Sequence, residues 1–370
     1  MPSTIPMGDL RREYAQIHSD IDRAIERVLC RGRFVLGEEG EAFEADWAAY
    51  CGVAHAVGVG NGTDAIQLIL RAAGIGPGDQ VIVPALTATF SALAVSMAGA
   101  TPVFADVDPA RYTLDPAAFE AAIGPRTAAV IPVHLYGCPA DMEPIVEIAR
   151  RHKLLVLEDA AQAHGARYVG LRVGGLGDVA AFSFYPSKNL GAYGDAGAIV
   201  TDDAALAEKA RMLRHGGQRR TYQHEMLGTN SRLDEMQAAI LRAKLPHLDG
   251  WNEQRRALAA RYDAGLRPTD LALPTVPHGV EHVFHLYVVR TLHREALREA
   301  LAATEITSAV HYPQAVHLQP AYASLGYKPG SCPNSEAASA EIVSLPIFPQ
   351  LASAEAEQVI RSIRTFFAVS

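Results

Sequence analysis

The sequence predicts an α/β protein whose main sheet is mostly parallel and covered by helices on both faces. Two observations carry this expectation. Short apolar runs alternate with helix-period segments across the first part of the chain, as crossover units require. After about residue 230 the pattern changes, which marks a second, smaller α+β unit.

Taken in order, residues 10–30 and 40–50 read as helices, with Leu10, Tyr14, Ile17, Ile21, Ile25 and Val28 at three- and four-residue spacing. AHAVGVG (54–60) reads as a strand and TDAIQLILRAAG (63–74) as a helix. QVIVP (80–84) is a strand, followed by an alanine-rich helix through Met97. TPVFADV (101–107), AAVIPVHL (128–135) and LLVLED (154–159) are strands, with a helix over 139–152. VAAFS (179–183) and AIVT (198–201) read as buried strands. A long helical region from Leu233 to Leu266 ends at RPTDLALPTVP (267–277), so the boundary is placed at 266/267. The large domain is then 1–266 and the small one 267–370. In the small domain the pattern gives strands over 283–290 and 307–312, a helix over 294–303, and two further helical segments.

With 370 residues, 49% of them hydrophobic, the chain can bury a large core. A net charge of -8 argues against a nucleic-acid binder. Cys30, Cys51, Cys138 and Cys332 are scattered without a CxxC pair, so neither a disulfide framework nor a zinc site is expected. The start, MPSTIPMGDLRREY, lacks the layout of a signal peptide, and no run of about 18 apolar residues occurs. The expectation is a cytoplasmic protein that contacts neither membrane nor nucleic acid.

Parallel sheets bind ligands beyond the carboxyl ends of their strands, and three such ends carry chemistry here. GVGNGTDA (58–65) runs from a strand into a helix start, where free amides bind phosphate. It reads either as a phosphate cradle or as an ordinary cap. A dinucleotide fingerprint does not fit, because Thr63 stands where the third glycine belongs. LEDAAQAHGA (157–166) puts Asp159 at a strand end, as a helix cap or as a buried carboxylate that needs a partner. Gln162 and His164 follow at spacings that let one or both face the same cleft.

FYPSKNLGAYGDAG (184–197) is the third end, and it sets Lys188 between two core strands. A surface lysine is the commoner case for a loop. A partly desolvated amine, however, loses preference for its charged form and becomes a nucleophile towards carbonyls. Together the strand ends offer a phosphate cradle, a carboxylate and a Schiff-base lysine. Pyridoxal phosphate needs all three.

These motifs resemble the DegT/DnrJ/EryC1/StrS sugar aminotransferases, of pyridoxal-phosphate fold type I. The resemblance runs along nearly the whole chain, through GRFVLGEEGEAFE, VGVGNGTDA, GATPVFADVD, VHLYG, EDAAQAHGA, SFYPSKNLGAYGDAGA, NSRLDEMQAAIL, HYPQAVHLQPAY and SLPIFP. It implies that Lys188 carries the cofactor and shuttles protons, that Asp159 pairs with the pyridine nitrogen, and that Gln162 lies against the ring. Gly62, Thr63 and Ser183 would hold the phosphate, and Asn230 would reach the cofactor phosphate of the other subunit of a homodimer with shared sites. Tyr185, His311 and Tyr312 would line the sugar pocket.

Within the group the chain is most similar to enzymes acting on the C-3 ketone of nucleotide-linked 6-deoxyhexoses. The implied reaction takes an amino group from L-glutamate to a dTDP-3-keto-6-deoxyhexose. One departure stands out: family members usually carry an aromatic where this chain has Ala88 in LTATFSA, so Phe90 or a different packing is left to meet the ring. Two alternatives compete. Sugar dehydratases of the group carry histidine at the lysine position, which Lys188 opposes. A regulatory protein that binds a nucleotide sugar without turnover would not need Asp159, Gln162 and Lys188 together.

Overall fold

The computed structural model describes residues 4–369. Its main sheet uses β1 (His55–Val59), β2 (Gln80–Pro84), β3 (Thr101–Ala105), β4 (Thr127–Val130), β5 (Leu155–Asp159), β8 (Val179–Ser183) and β9 (Gly197–Thr201). Their order is β1-β9-β8-β5-β4-β2-β3. Among the described residues of this sheet β9 alone runs antiparallel, against both β1 and β8, so the sheet is mostly parallel, as expected. The strands read as unbroken apolar runs because both faces are covered. One face packs Ile66, Leu68 and Ile69 of α3 (Gly62–Ala72). The other packs Phe43 and Trp47 of α2 (Glu38–Cys51) against Phe182 and Phe184.

The remaining large-domain helices are α1 (Leu10–Arg31), α4 (Phe90–Met97), α5 (Pro116–Ala121), α6 (Met142–His152) and α7 (Ala204–Leu213). β6 (Arg167–Tyr168), β7 (Leu171–Arg172) and β12 (Val280–Glu281) make a small three-stranded sheet. β10 (Gln218–Arg220) and β11 (Gln223–His224) make an outlying hairpin.

Three expectations change. β4 ends at Val130 rather than running to residue 135, because Pro132 has no N–H for a ladder; beyond it Val133 bridges Asp159 alone. The long helix is broken at Pro246 into α8 (Glu235–Lys244), a 3₁₀ turn and α9 (Leu248–Leu266), since proline removes an intrahelical bond. In the small domain, residues 307–312 form no strand; Ala309 only bridges Ser344. The partner of β13 (Tyr287–Arg290) is instead β14 (Ile342–Leu345), for which the sequence pattern gave no strand. α10 (Arg294–Ala303), α11 (Pro333–Glu341) and α12 (Ser353–Val369) complete the domain.

The small-domain core also takes in Tyr262 and Leu266 of α9, and Ile5, which bridges Ile306. The proposed boundary at 266/267 falls at the end of α9, whose Leu258, Ala259, Tyr262 and Leu266 pack into this core of the smaller unit. The N-terminal strap lies on that unit as well.

Candidate active site

Three elements meet beyond the carboxyl ends of the sheet strands. The first wall is the start of α3. Asn61 caps it by accepting from the Asp64 N–H at 2.8 Å, which leaves the first amides unpaired within the helix. This helix start is pressed on the strand ends: a Cβ on Gly62 would sit 2.8 Å from Ser183 Cβ, and one on Gly197 2.4 Å from the Asn61 carbonyl carbon. Only glycine permits that approach. Gly62, Thr63 and Ser183 are thereby gathered at one helix N-terminus, with the dipole favouring an anion. Asp64 would oppose an anion there, but its Oδ2 accepts from Ser231 Oγ at 2.5 Å, and that oxygen accepts from the Gly60 N–H at 2.9 Å.

Asp159 ends β5 and is only 6% exposed. Its Oδ2 accepts from Ser91 Oγ at 2.7 Å and its Oδ1 from the Ala161 N–H at 3.1 Å. Among the described residues no cation lies within ion-pair distance of it. A buried carboxylate so placed is suited to one more cationic partner. Its neighbour Glu158 points to the other side, accepting from the N–H groups of Gly174, Leu176 and Gly177 and from His134 Nε2. The Ala140 N–H donates to His134 Nδ1, so the imidazole proton is on Nε2. This closed network fixes the end of β5.

Gln162 is held at both ends of its amide. Oε1 accepts from the Tyr136 N–H at 2.7 Å, and Nε2 donates to Tyr312 Oη at 3.1 Å. Tyr136 in turn donates its hydroxyl to the His311 carbonyl, and His311 Nδ1 pairs with Ser344 Oγ at 2.8 Å. His311 and Tyr312, from the C-terminal part of the chain, are thus drawn beside Gln162, with Tyr312 near Asp159. Burial pushes the Tyr312 hydroxyl up to about 12, so it remains a donor.

Lys188 stands on the turn between β8 and β9, its backbone N–H bonded to the Tyr185 carbonyl at 2.8 Å. Burial lowers its amine to about 8, with the Asp159 carboxylate pulling the other way. Among the described residues its Nζ has no hydrogen-bond or ion-pair partner. The turn itself is tightly closed, since a Cβ on Gly191 would sit 2.3 Å from the Pro186 carbonyl oxygen. Fully buried Lys244 donates to the Gly191 carbonyl at 2.7 Å, pairs with Glu13 at 2.5 Å and sits 4.2 Å from the Tyr193 ring centroid.

His164 does not enter the cleft. It is fully buried among the rings of Trp47, Phe182 and Phe184, at 5.9, 5.5 and 5.4 Å. Burial and the nearby Lys188 hold it neutral, its pKa pushed down to about 3. Tyr185 is 55% exposed at the cleft's edge, and Asn230 is exposed, with backbone bridging to His215. Ala88 is half-buried, while Phe90 is 62% exposed and turns away from its own chain. Sequence reasoning missed Ser91, three residues beyond Ala88, and Tyr136; a polar residue at the start of α4 was the available signal.

The donor set fits pyridoxal phosphate: amides for a phosphate, a buried carboxylate for a ring nitrogen, an amide side chain beside it, and an amine of lowered pKa. Fold and site define a pyridoxal-phosphate-dependent aminotransferase. Residues 15–364 match the DegT/DnrJ/EryC1/StrS aminotransferase family, and the chain belongs to it. It is 54% identical to a dTDP-3-amino-3,4,6-trideoxy-alpha-D-glucose transaminase of Streptomyces venezuelae, over 97% of this chain and 95% of that one. It is 49% identical to a UDP-N-acetyl-3-dehydro-alpha-D-glucosamine 3-aminotransferase of Acidithiobacillus ferrooxidans, over 98% of each. Among solved structures, S. venezuelae DesV in complex with a ketimine intermediate superimposes with a TM-score of 0.96 at 53% identity, covering 98% of both chains. Among the described residues no helix is long and apolar enough to cross a membrane.

Proposed function

We propose that the protein transfers an amino group from L-glutamate to the C-3 ketone of a nucleotide-linked sugar, with a dTDP-linked 6-deoxyhexose as the preferred acceptor. The carrying observation is the convergence of Lys188, Asp159 and Gln162 on one cleft beside the α3 N-terminus. The two relatives named above differ in nucleotide but share chemistry at C-3, which supports the ketone position. Bound pyridoxal phosphate supplies an electron sink and carries the amino group between the two substrates. The chain's residues do the rest. Gly62, Thr63 and Ser183 bind the phosphate, Asp159 holds a proton at the ring nitrogen, and Ser91 orients Asp159. Gln162 and Tyr312 fix the ring's other side. Lys188 takes a proton from one carbon and returns it to another, which its lowered pKa allows near neutral pH. Tyr185 and His311 face the sugar.

The working unit is a homodimer with shared sites. Phe90, Leu93 and Met97 lie at helical spacing on α4, and all three are exposed. α3 donates from Gln67 to the Met97 carbonyl and from Arg71 to the Leu227 carbonyl, which puts 89%-exposed Leu227 on the same side. Exposed Asn230 lies three residues further on, where a second subunit's cofactor phosphate can meet it. The test is a half-reaction screen. Enzyme loaded with pyridoxamine phosphate is offered 3-keto and 4-keto sugars on dTDP and on UDP, and return of the aldehyde form is followed by absorbance. The 3-keto dTDP sugar is expected to react fastest; recovery with 4-keto sugars alone would overturn the assignment.

A further inference from the structure

Next to Lys188 lies a buried polar network that the transamination chemistry does not use. Asn189 is 4% exposed. Its Nδ2 donates to the Val283 carbonyl at 3.0 Å and to Asn252 Oδ1 at 2.9 Å, and its Oδ1 faces His285 Nδ1 at 3.2 Å. A main-chain carbonyl can only accept, so the Val283 contact fixes which end of the Asn189 amide is nitrogen. The Asn189 oxygen must then accept, and His285 must carry its proton on Nδ1. Asn252 is fixed the same way, its Nδ2 donating to the His164 carbonyl at 2.8 Å.

The segment that receives these bonds joins two cores. Val283 packs with Phe182 and Phe184 of the large domain, and Phe284 with Tyr262 and Tyr287 of the small one. Arg255, on α9, holds the same segment by donating from Nη1 to the carbonyls of Phe284 and His285, at 3.1 and 3.4 Å. We propose that Asn189 and His285 are positioning residues for Lys188. His285, neutral and protonated on Nδ1, locks the Asn189 amide, and the amide locks the backbone bearing Lys188 to the strap between the domains. His285 stays neutral because it is buried and faces the cations of Lys188 and Arg255, with His164 and His311 also nearby. Protonating it would add a third positive charge to the same pocket.

The inference rests on the reading of Lys188 as the cofactor lysine, and the two can fail separately. Borohydride reduction and peptide mapping of wild type come first. An adduct on any other lysine removes the functional reading itself. With the adduct on Lys188, Asn189→Ala and His285→Leu should lower kcat about 10- to 100-fold through misplacement of the amine, with KM for the sugar held within about twofold. A second readout needs no turnover. In the cofactor-stripped full chain, acylation of Lys188 by a small amine reagent is followed by mass spectrometry against pH. Its midpoint, near 8 in wild type, should rise toward that of free lysine as the loosened turn lets water in.

His285→Asn is the rescue, because an asparagine Nδ2 can occupy the place of the imidazole Nδ1–H. It should recover most of what His285→Leu loses in both readouts. Should Asn189→Ala fail to fold, the His285 pair decides the matter alone. An unchanged acylation profile with unchanged kcat in folded variants overturns the proposal, as does a His285→Asn enzyme no better than His285→Leu.

Discussion

Two segments, one bearing Lys188 and one ending at Asn230, are built in opposite ways. The turn from Phe184 to Ala192 is anchored from every direction: Phe184 and Leu190 are buried in the aromatic core, Asn189 is bonded on both amide ends, and Gly191 is held by Lys244. Apart from surface contacts of Arg71 with the Leu227 carbonyl and of Arg219 with Glu208 and Glu225, the segment from Gln218 to Asn230 is held at its base. There Gly217 donates to the Met212 carbonyl, and Thr229 to that of Leu213, at 2.8 and 2.7 Å. Beyond the base, Tyr222 and Leu227 are 88% and 89% exposed. The difference assigns labour. Groups that move protons must hold their distance to about half an ångström, so the chain buries their support. Groups proposed to serve a second subunit, Asn230 among them, are exposed on the single chain.

The largest expected effects fall on the pinned side. Lys188→Ala should lose turnover by about 100- to 10,000-fold, the span of general acid–base catalysis. The loss is read from steady-state rates in protein whose circular dichroism matches wild type. Asp159→Asn keeps the bond from Ala161 and can keep Ser91 as a partner, while removing the charge. Both half-reactions should slow by about 100- to 1,000-fold with cofactor retained. The Asp159 carboxylate favours the charged form of Lys188. Its loss should therefore move the midpoint of Lys188 acylation below about 8, opposite in sign to the shift expected for Asn189→Ala. Near-normal turnover in Asp159→Asn would mean that another group keeps the ring protonated.

The exposed side is tested by mixing. Asn230→Asp would set a carboxylate against a phosphate, and Lys188→Ala disables the amine. If each site takes Lys188 from one chain and Asn230 from the other, co-refolding the two dead mutants puts both lesions in one site of a mixed dimer and leaves the other intact. Activity should then return to about a quarter of wild type. Mixed dimers that form and stay dead would show that Asn230 serves its own chain.

The pinned turn was legible in the sequence because its logic is local. Two apolar strands flank a lysine and a cluster of glycines, which weighs against the commoner reading of a loop lysine as a surface residue. Asp159 at the end of LVLED and Asn61–Gly62 at the start of α3 were local signals of the same kind, each with an ordinary helix cap as its rival. What escaped is what depends on distant residues. Ser91 meets Asp159 across 68 positions, and His285 meets Asn189 across 96, and spacing carries no trace of either. β14 was missed for a similar reason: IVSL is too short to distinguish strand from helix until β13 is there to pair with it. His164 was left open between cleft and core, and its three aromatic neighbours come from segments that no periodicity links to it.

The smallest effect probes where the two sides meet, at the start of α4. Ser91 turns inward to Asp159, whereas Phe90, one residue earlier and about 100° around the helix, points outward with its ring unpacked among the described residues. Ala88, three residues before Ser91, is half-buried, and an aromatic placed there tests whether the inner side has room for a ring. Ala88→Tyr should then stack on the bound cofactor and tighten it by about 0.5–1.5 kcal/mol beyond the area buried, with kcat little changed. The dissociation constant, measured by absorbance after stripping and titrating back, reads this directly. A variant that no longer binds cofactor would show that the space over the ring is already filled. Phe90 of the partner subunit, brought in as the exposed stripe of α4 docks, would be the residue filling it.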